Sequence, residues 1–203
     1  MLSKLTSLFK KTPAPRIVIV SGLPRSGTSL MMKMLDAGGI PPLTDNIRTA
    51  DEDNPKGYYE FERVKKLREG DTAWIPLAEG KTVKVIAALL PYLPDTYRYH
   101  VVFMRRAMPE ILASQRQMLI RRGEDPDKIS DEEIARLFQK HLQKVQAWMA
   151  QQPHLAHIEV SYNELLAAPE PVAGRVNRFL GGNLDVEAMA QVVDPGLYRQ
   201  RVQ

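Results

Sequence analysis

Two glycines, three hydroxyl side chains and one arginine fall within eight residues, Gly22-Leu23-Pro24-Arg25-Ser26-Gly27-Thr28-Ser29, directly after a short apolar run. A glycine-rich turn between a buried strand and a helix aims successive backbone N–H groups, together with the positive helix end, at whatever lies above it. Such a turn cradles phosphate. The spacing Gly22-x4-Gly27 is that of the Walker loop, but Thr28 stands where that loop places its lysine. Nucleotide triphosphatases use that lysine on the β and γ phosphates and the next hydroxyl on magnesium, so kinase or GTPase chemistry is disfavoured. Arg25 supplies a cation inside the loop instead, with Ser26, Thr28 and Ser29 as hydroxyl donors.

Pro24-Arg25-Ser26-Gly27-Thr28-Ser29 resembles the 5′-phosphosulfate loop of the sulfotransferases, which that family writes as Pro, Arg or Lys, Ser, Gly, Thr, Thr or Ser. The resemblance implies 3′-phosphoadenosine 5′-phosphosulfate (PAPS) as donor co-substrate, without a metal. It places Arg25, Ser26, Gly27, Thr28 and Ser29 around the 5′ end of that donor. Arg25 also takes a catalytic part, stabilising charge on the bridging oxygen as the sulfuryl group leaves.

The family carries a further arginine and serine eight residues apart, after a strand and into a helix, to hold the donor's 3′ phosphate. Arg106 and Ser114 have that separation. A guanidinium offers a planar fork of donors and a serine adds a hydroxyl, which together suit a phosphate dianion. The family more often has Asp-Pro directly after the arginine, where this chain has Ala107-Met108, and Arg105 is a rival for the role. Val160-Ser161-Tyr162-Asn163-Glu164-Leu165-Leu166 resembles the family's Tyr-Glu-Asp-Leu segment, which implies Tyr162 beside the adenine. A tyrosine after a strand is as often a core residue.

Sulfuryl transfer to a hydroxyl needs a base near the acceptor oxygen, and this family uses a histidine or a glutamate. His100 falls in a strand, His141 in a helix, and His154 and His157 flank another strand, so each reads as structural or exposed. The polar loop after the first helix is a better place, because the glutamate-using branches carry their base there. Asn54-Pro55-Lys56-Gly57-Tyr58-Tyr59-Glu60 resembles a segment of bacterial sulfotransferase-like proteins, and Glu60 is the expected base, ahead of Asp45 and Glu52. Lys84 is a candidate to steady the sulfuryl group, although nothing local separates it from an ordinary surface lysine.

These residues need a frame. Ile17-Val18-Ile19-Val20 is apolar without alternation, as expected of a strand buried on both faces of a parallel sheet. Leu30, Met31, Met34 and Leu35 share one side of the following helix, which Gly38-Gly39 and Pro41-Pro42 stop. Residues 44–80 are polar and irregular, with a short helix expected over 61–67. Strands are expected over 82–86, 99–104 and 157–160. Helices are expected over 87–93 (doubtful at Pro91), from Pro109 to about Arg122, from the Ser130/Glu133 capping box to about Met149, and over 172–180 and 186–193. Alternating strands and helices predict an α/β, three-layer P-loop-like fold with a mainly parallel sheet of about four or five strands flanked by helices.

A chain of 203 residues, 44% hydrophobic and 26% charged, reads as one α/β domain over 17–203 behind an N-terminal arm over 1–16. The absence of cysteine excludes disulfides and thiol nucleophiles. No apolar run approaches the ~20 residues that span a bilayer, which makes a cytoplasmic location the default. A formal charge of +4, without interleaved aromatics or a recognised motif, argues against a nucleic-acid partner and suits an anionic small ligand. The expected activity is sulfuryl transfer from PAPS to a hydroxyl or amine of an unidentified acceptor. Because the chain is shorter than many sulfotransferases, a homodimer is one way to complete the acceptor walls. Two alternatives remain: a P-loop kinase-like phosphotransferase, and a non-catalytic nucleotide-binding module that keeps Arg25 and Arg106 but lacks a working base.

Overall fold

A computed structural model describes residues 16–45, 47 and 57–194. The arm up to residue 15, Glu52, and the 54–56 part of the acidic loop lie outside the described residues. Four strands form the sheet: β1 (Arg16–Gly22), β2 (Thr82–Lys84), β3 (Arg98–Arg105) and β4 (Leu155–Ser161). Their spatial order is β2-β1-β3-β4, and every pairing is parallel. The expected parallel sheet is therefore present, with Arg16 in its first strand rather than in the arm.

The unalternating runs have the environment they predicted. In β1 all six residues after Arg16 are buried. Ile17, Ile19, Val101 and Phe103 pack on one face against Trp74, Ile75, Leu90 and the helices α2 (Met108–Arg121) and α3 (Asp131–Ala150). Val18, Val20, Val102, Met104 and Val160 pack on the other face against α1 (Thr28–Ala37), α4 (Tyr162–Ala167), α5 (Pro169–Phe179) and α6 (Val186–Gln191). Each fully buried aliphatic chain is worth roughly 1.5–3 kcal/mol, so the sheet is stabilised from both sides.

Local signals set the helix bounds. The Ser130 hydroxyl accepts from the Glu133 N–H at 3.2 Å, while the Glu133 carboxylate turns outward to Arg136, so half of the capping box forms. The expected helix over 87–93 is a 3₁₀ segment, Ala87–Tyr92, with Pro91 inside it. Proline lacks the N–H and crowds the preceding turn, which rules out a regular α-helix there. Within the polar stretch, the short helix expected over 61–67 is a 3₁₀ segment, Glu62–Glu69, and a second, Ile75–Ala78, lies where only irregular chain was expected.

Strand β1 has β2 on one side and β3 on the other, so the chain reverses its winding direction between β1 and β3. Open α/β sheets bind ligands at such a switch point, beyond the carboxyl ends of the strands. Gly22 and Met104 face each other at that end.

Candidate functional site

The loop after β1 is closed by its own backbone. The Leu23 carbonyl accepts from the Ser26 N–H (3.3 Å) and from the Ser26 hydroxyl (2.7 Å), and Ser26 is 1% exposed. Two glycines make room for this turn. A β-carbon on Gly22 would lie 2.5 Å from Ser26 Oγ and 2.7 Å from the Met104 carbonyl oxygen, and Gly27 adopts φ 94° immediately before α1. Arg25 is also left-handed, with φ 68°, at a cost of roughly 1–2 kcal/mol for a residue with a β-carbon. Thr28 and Ser29 open α1. Among the described residues no side chain caps that turn, and it carries no acid. The partial positive charge of the helix end is thus left facing the crevice.

Arg25 reaches across the crevice to α2, where its Nε donates to Ser114 Oγ at 2.8 Å. Arg106, just past the end of β3, donates from Nη1 to the Arg25 carbonyl at 3.0 Å. It also donates from Nε to Glu110 Oε2 at 2.8 Å, and both side chains of that pair are nearly buried, at 8% and 4% exposed. The Arg106 guanidinium lies 4.6 Å from the centroid of the Tyr162 ring, a cation–π distance. Burial holds the Tyr162 phenol above its usual range, with Arg106 acting in the opposite sense. Arg25, Ser26, Gly27, Arg106, Ser114 and Tyr162 therefore form one cluster, and Tyr162 sits inside it with its ring against Gly27.

The two adjacent arginines diverge. Arg105 closes β3 on the face toward α3 and pairs with Glu159 at 3.4 Å, which also receives the Gln146 amide. Arg106 instead bonds the loop backbone, through the Arg25 carbonyl.

Lys84, the last residue of β2, is not an ordinary surface lysine. Its ammonium donates to Ser29 Oγ at 3.0 Å and to the Tyr58 carbonyl at 2.5 Å, joining the start of α1 to the acidic segment. Within that segment Tyr59 takes φ 52°. The Glu60 carbonyl accepts from Thr44 Oγ1, and its carboxylate lies 3.6 Å from Lys65 Nζ. Asp45 is otherwise occupied. Its two carboxylate oxygens accept the backbone N–H groups of Ile47 and Glu62, the second at the head of a 3₁₀ segment.

The histidines stand apart from this cluster. His100 and His157 are in β3 and β4, His141 is in α3, and His154 packs edge-on to Tyr99. Among the described residues no group of three or more His, Asp and Glu is arranged to hold a metal ion, and no helix is long and apolar enough to cross a membrane.

Two members of the cluster went unread in the sequence. Glu110 is 3% exposed, and Asn163 Nδ2 donates to its Oε1 at 2.7 Å while Asn163 Oδ1 accepts from the Ala107 N–H. The opposite charges of Arg106 and Glu110, four apart across the start of α2, were the available signal. Asn163 carried no local signal at all.

No family model matches the sequence, and no curated protein matches it. Solved structures do resemble the fold. The sulfotransferase domain from the Synechococcus PCC 7002 olefin synthase superposes with a TM-score of 0.56 at 16% identity, over 94% of this chain and 89% of that one. The sulfotransferase domain from the curacin biosynthetic pathway gives 0.53 at 17%, over 89% and 78%. Mouse sulfotransferase SULT7A1, complexed with PAP, gives 0.50 at 14%, over 88% and 62%. Identities this low speak to architecture alone, and the architecture is plain: this chain has a sulfotransferase-like α/β fold.

Proposed function

We propose that this chain transfers a sulfuryl group from PAPS to a hydroxyl of an acceptor. The observation that carries the reading is the contact of Arg25 with Ser114, together with the Arg106 side chain that holds the Arg25 carbonyl. The loops after β1 and β3 thereby share a single crevice with cationic and hydroxyl donors from both. A nucleotide bearing phosphate at both ends of its ribose matches such a pair of anion sites. That SULT7A1, similar in fold, is complexed with PAP supports the same class of ligand.

The donor supplies an activated sulfuryl group whose bond to the 5′ phosphate breaks as a bond to the acceptor oxygen forms. The residues of this chain bind and polarise around that exchange. The backbone N–H groups of Gly27, Thr28 and Ser29, with the Thr28 and Ser29 hydroxyls, suit the 5′ end, where preorganised donors lower the cost of developing charge, while the Ser26 hydroxyl closes the loop on the Leu23 carbonyl. Arg25 balances charge on the departing oxygen. Arg106 and Ser114 suit the 3′ phosphate, and Tyr162, under Arg106, forms the wall on the nucleoside side. Lys84, bonded to Ser29, brings a second cation to the mouth of the loop. Glu60 is the base that takes the acceptor proton, and the Lys84 bond to Tyr58 tethers its segment beside the loop.

Calorimetric titration tests the reading. Adenosine 3′,5′-bisphosphate is expected to bind without metal, and more tightly than ATP with magnesium. Binding of ATP with magnesium alone overturns it in favour of a phosphotransferase. Tight bisphosphate binding without sulfate transfer to any acceptor in a panel of phenols, sugars, lipids and peptides favours the non-catalytic module.

A further inference from the structure

Arg106 is held from three separate connections of the fold, and Glu110 is the centre of that arrangement. A buried carboxylate is costly unless it is paired and hydrogen-bonded. Here Glu110 Oε2 accepts from Arg106 Nε and Oε1 accepts from Asn163 Nδ2. The Asn163 amide is fixed in turn by the Ala107 N–H at 3.3 Å, and Arg106 Nη1 is fixed by the Arg25 carbonyl. The loops after β1, β3 and β4 are thus joined through one guanidinium that lies over the Tyr162 ring.

We infer that Glu110 is a positioning residue that sets the orientation of the Arg106 fork and, through it, the selectivity of the site for a nucleotide carrying a 3′ phosphate. The inference rests on the donor reading above. A guanidinium recognises phosphate by the direction of its N–H groups, and an unheld arginine loses that geometry while keeping its charge. Glu110 trades attraction for direction, because its negative charge offsets part of the pull of Arg106 on any anion. Its isosteric replacement by glutamine therefore has a recognisable signature. General anion affinity stays level or rises, while discrimination between 3′-phosphorylated and 3′-unphosphorylated nucleotide falls.

The experiment compares Kd for adenosine 3′,5′-bisphosphate and for adenosine 5′-monophosphate in the wild type, Glu110→Gln, Asn163→Ala and Arg106→Ala, each checked by a thermal melt. The wild-type preference for the bisphosphate is expected to drop about tenfold or more in Glu110→Gln, as for loss of one charge-assisted hydrogen bond, and to approach that of Arg106→Ala. Asn163→Ala, which leaves the ion pair intact, is expected to lose less, in the same direction, and it decides the matter if Glu110→Gln does not fold. An unchanged preference in a folded Glu110→Gln overturns the inference, as does an equal loss of affinity for both nucleotides, which a purely structural role produces. A wild type with no preference for the bisphosphate overturns the donor reading itself, and the inference with it.

Discussion

The ring of Tyr162 lies against the α-carbon of Gly27, where a β-carbon would stand 2.3 Å from Cδ2 and 2.9 Å from Cε2. Gly27→Ala therefore meets two obstacles, this collision and a φ of 94° that alanine disfavours. The expected cost is about 1–3 kcal/mol, with loss of nucleotide binding, read by thermal melts and titration. Tyr162→Ala removes the collision but leaves the φ. Gly27→Ala should thus cost less in the Tyr162→Ala background than alone, and strictly additive costs would contradict the contact.

Arg25 combines a left-handed backbone with the donor-binding role proposed for it. Arg25→Ala is expected to lower affinity for adenosine 3′,5′-bisphosphate about tenfold or more, through loss of its charge-assisted donors. Arg25→Gly should bind as poorly yet melt higher than Arg25→Ala, by about 1 kcal/mol in stability, because glycine accepts φ 68° without penalty. Equal melting of the two variants would mean the left-handed backbone is not retained.

The sheet and the loop were legible because their signals are local. Ile17 to Val20 is buried on both faces and reads so from residue type alone, and the Gly22 to Ser29 spacing announces a tight strand-to-helix turn within eight positions. What joins the site is not local. Arg25 and Ser114 are 89 residues apart and Lys84 and Ser29 are 55 apart, so only the parallel strand order brings them together. Lys84 was a candidate that nothing local set apart from a surface lysine, because its partners come from α1 and the acidic segment. Glu110 escaped notice because a carboxylate at a helix start is usually solvated; its burial depends on Asn163, 53 positions away. Asp45 stood behind Glu60 only on a resemblance, both being acids on a polar loop, whereas in the fold Asp45 is committed to two backbone N–H groups.

That contrast separates the two acids by experiment. Glu60→Gln is expected to retain donor binding while turnover falls about 10²–10⁴-fold, the usual share of a general base, measured with any acceptor the wild type sulfates. Asp45→Ala is expected to lower stability by about 1–3 kcal/mol, because it removes the partner of two N–H groups, and to spare kcat in the folded fraction. The reverse pattern would move the base to Asp45.

Acid sensitivity near neutrality should trace to His100. Burial, followed by the nearby Arg16, holds its imidazole below the ordinary 6.5, its Nδ1 is buried without a hydrogen-bond partner, and its ring tilts against Phe179 at 5.4 Å. Well above pH 6.5 the imidazole is neutral in both the folded and the unfolded chain and contributes no pH dependence. As the pH falls below that value the unfolded chain binds the proton first, so stability declines, and the decline levels off only below the folded value. Burial, followed by Lys144, depresses His141 as well and adds to the same window. The carboxylates of Asp71, Asp127, Glu133 and Glu164, held low by their arginine partners, act at more acid pH, since their ordinary values are 3.8 and 4.5. Urea midpoints at pH 7.5 and 5.5 isolate the histidines. The wild type should lose stability between them, and His100→Phe, which keeps a ring against Phe179 and removes the titrating nitrogens, should lose less. An undiminished loss in that variant would assign the effect to His141 and leave His100 a packing residue.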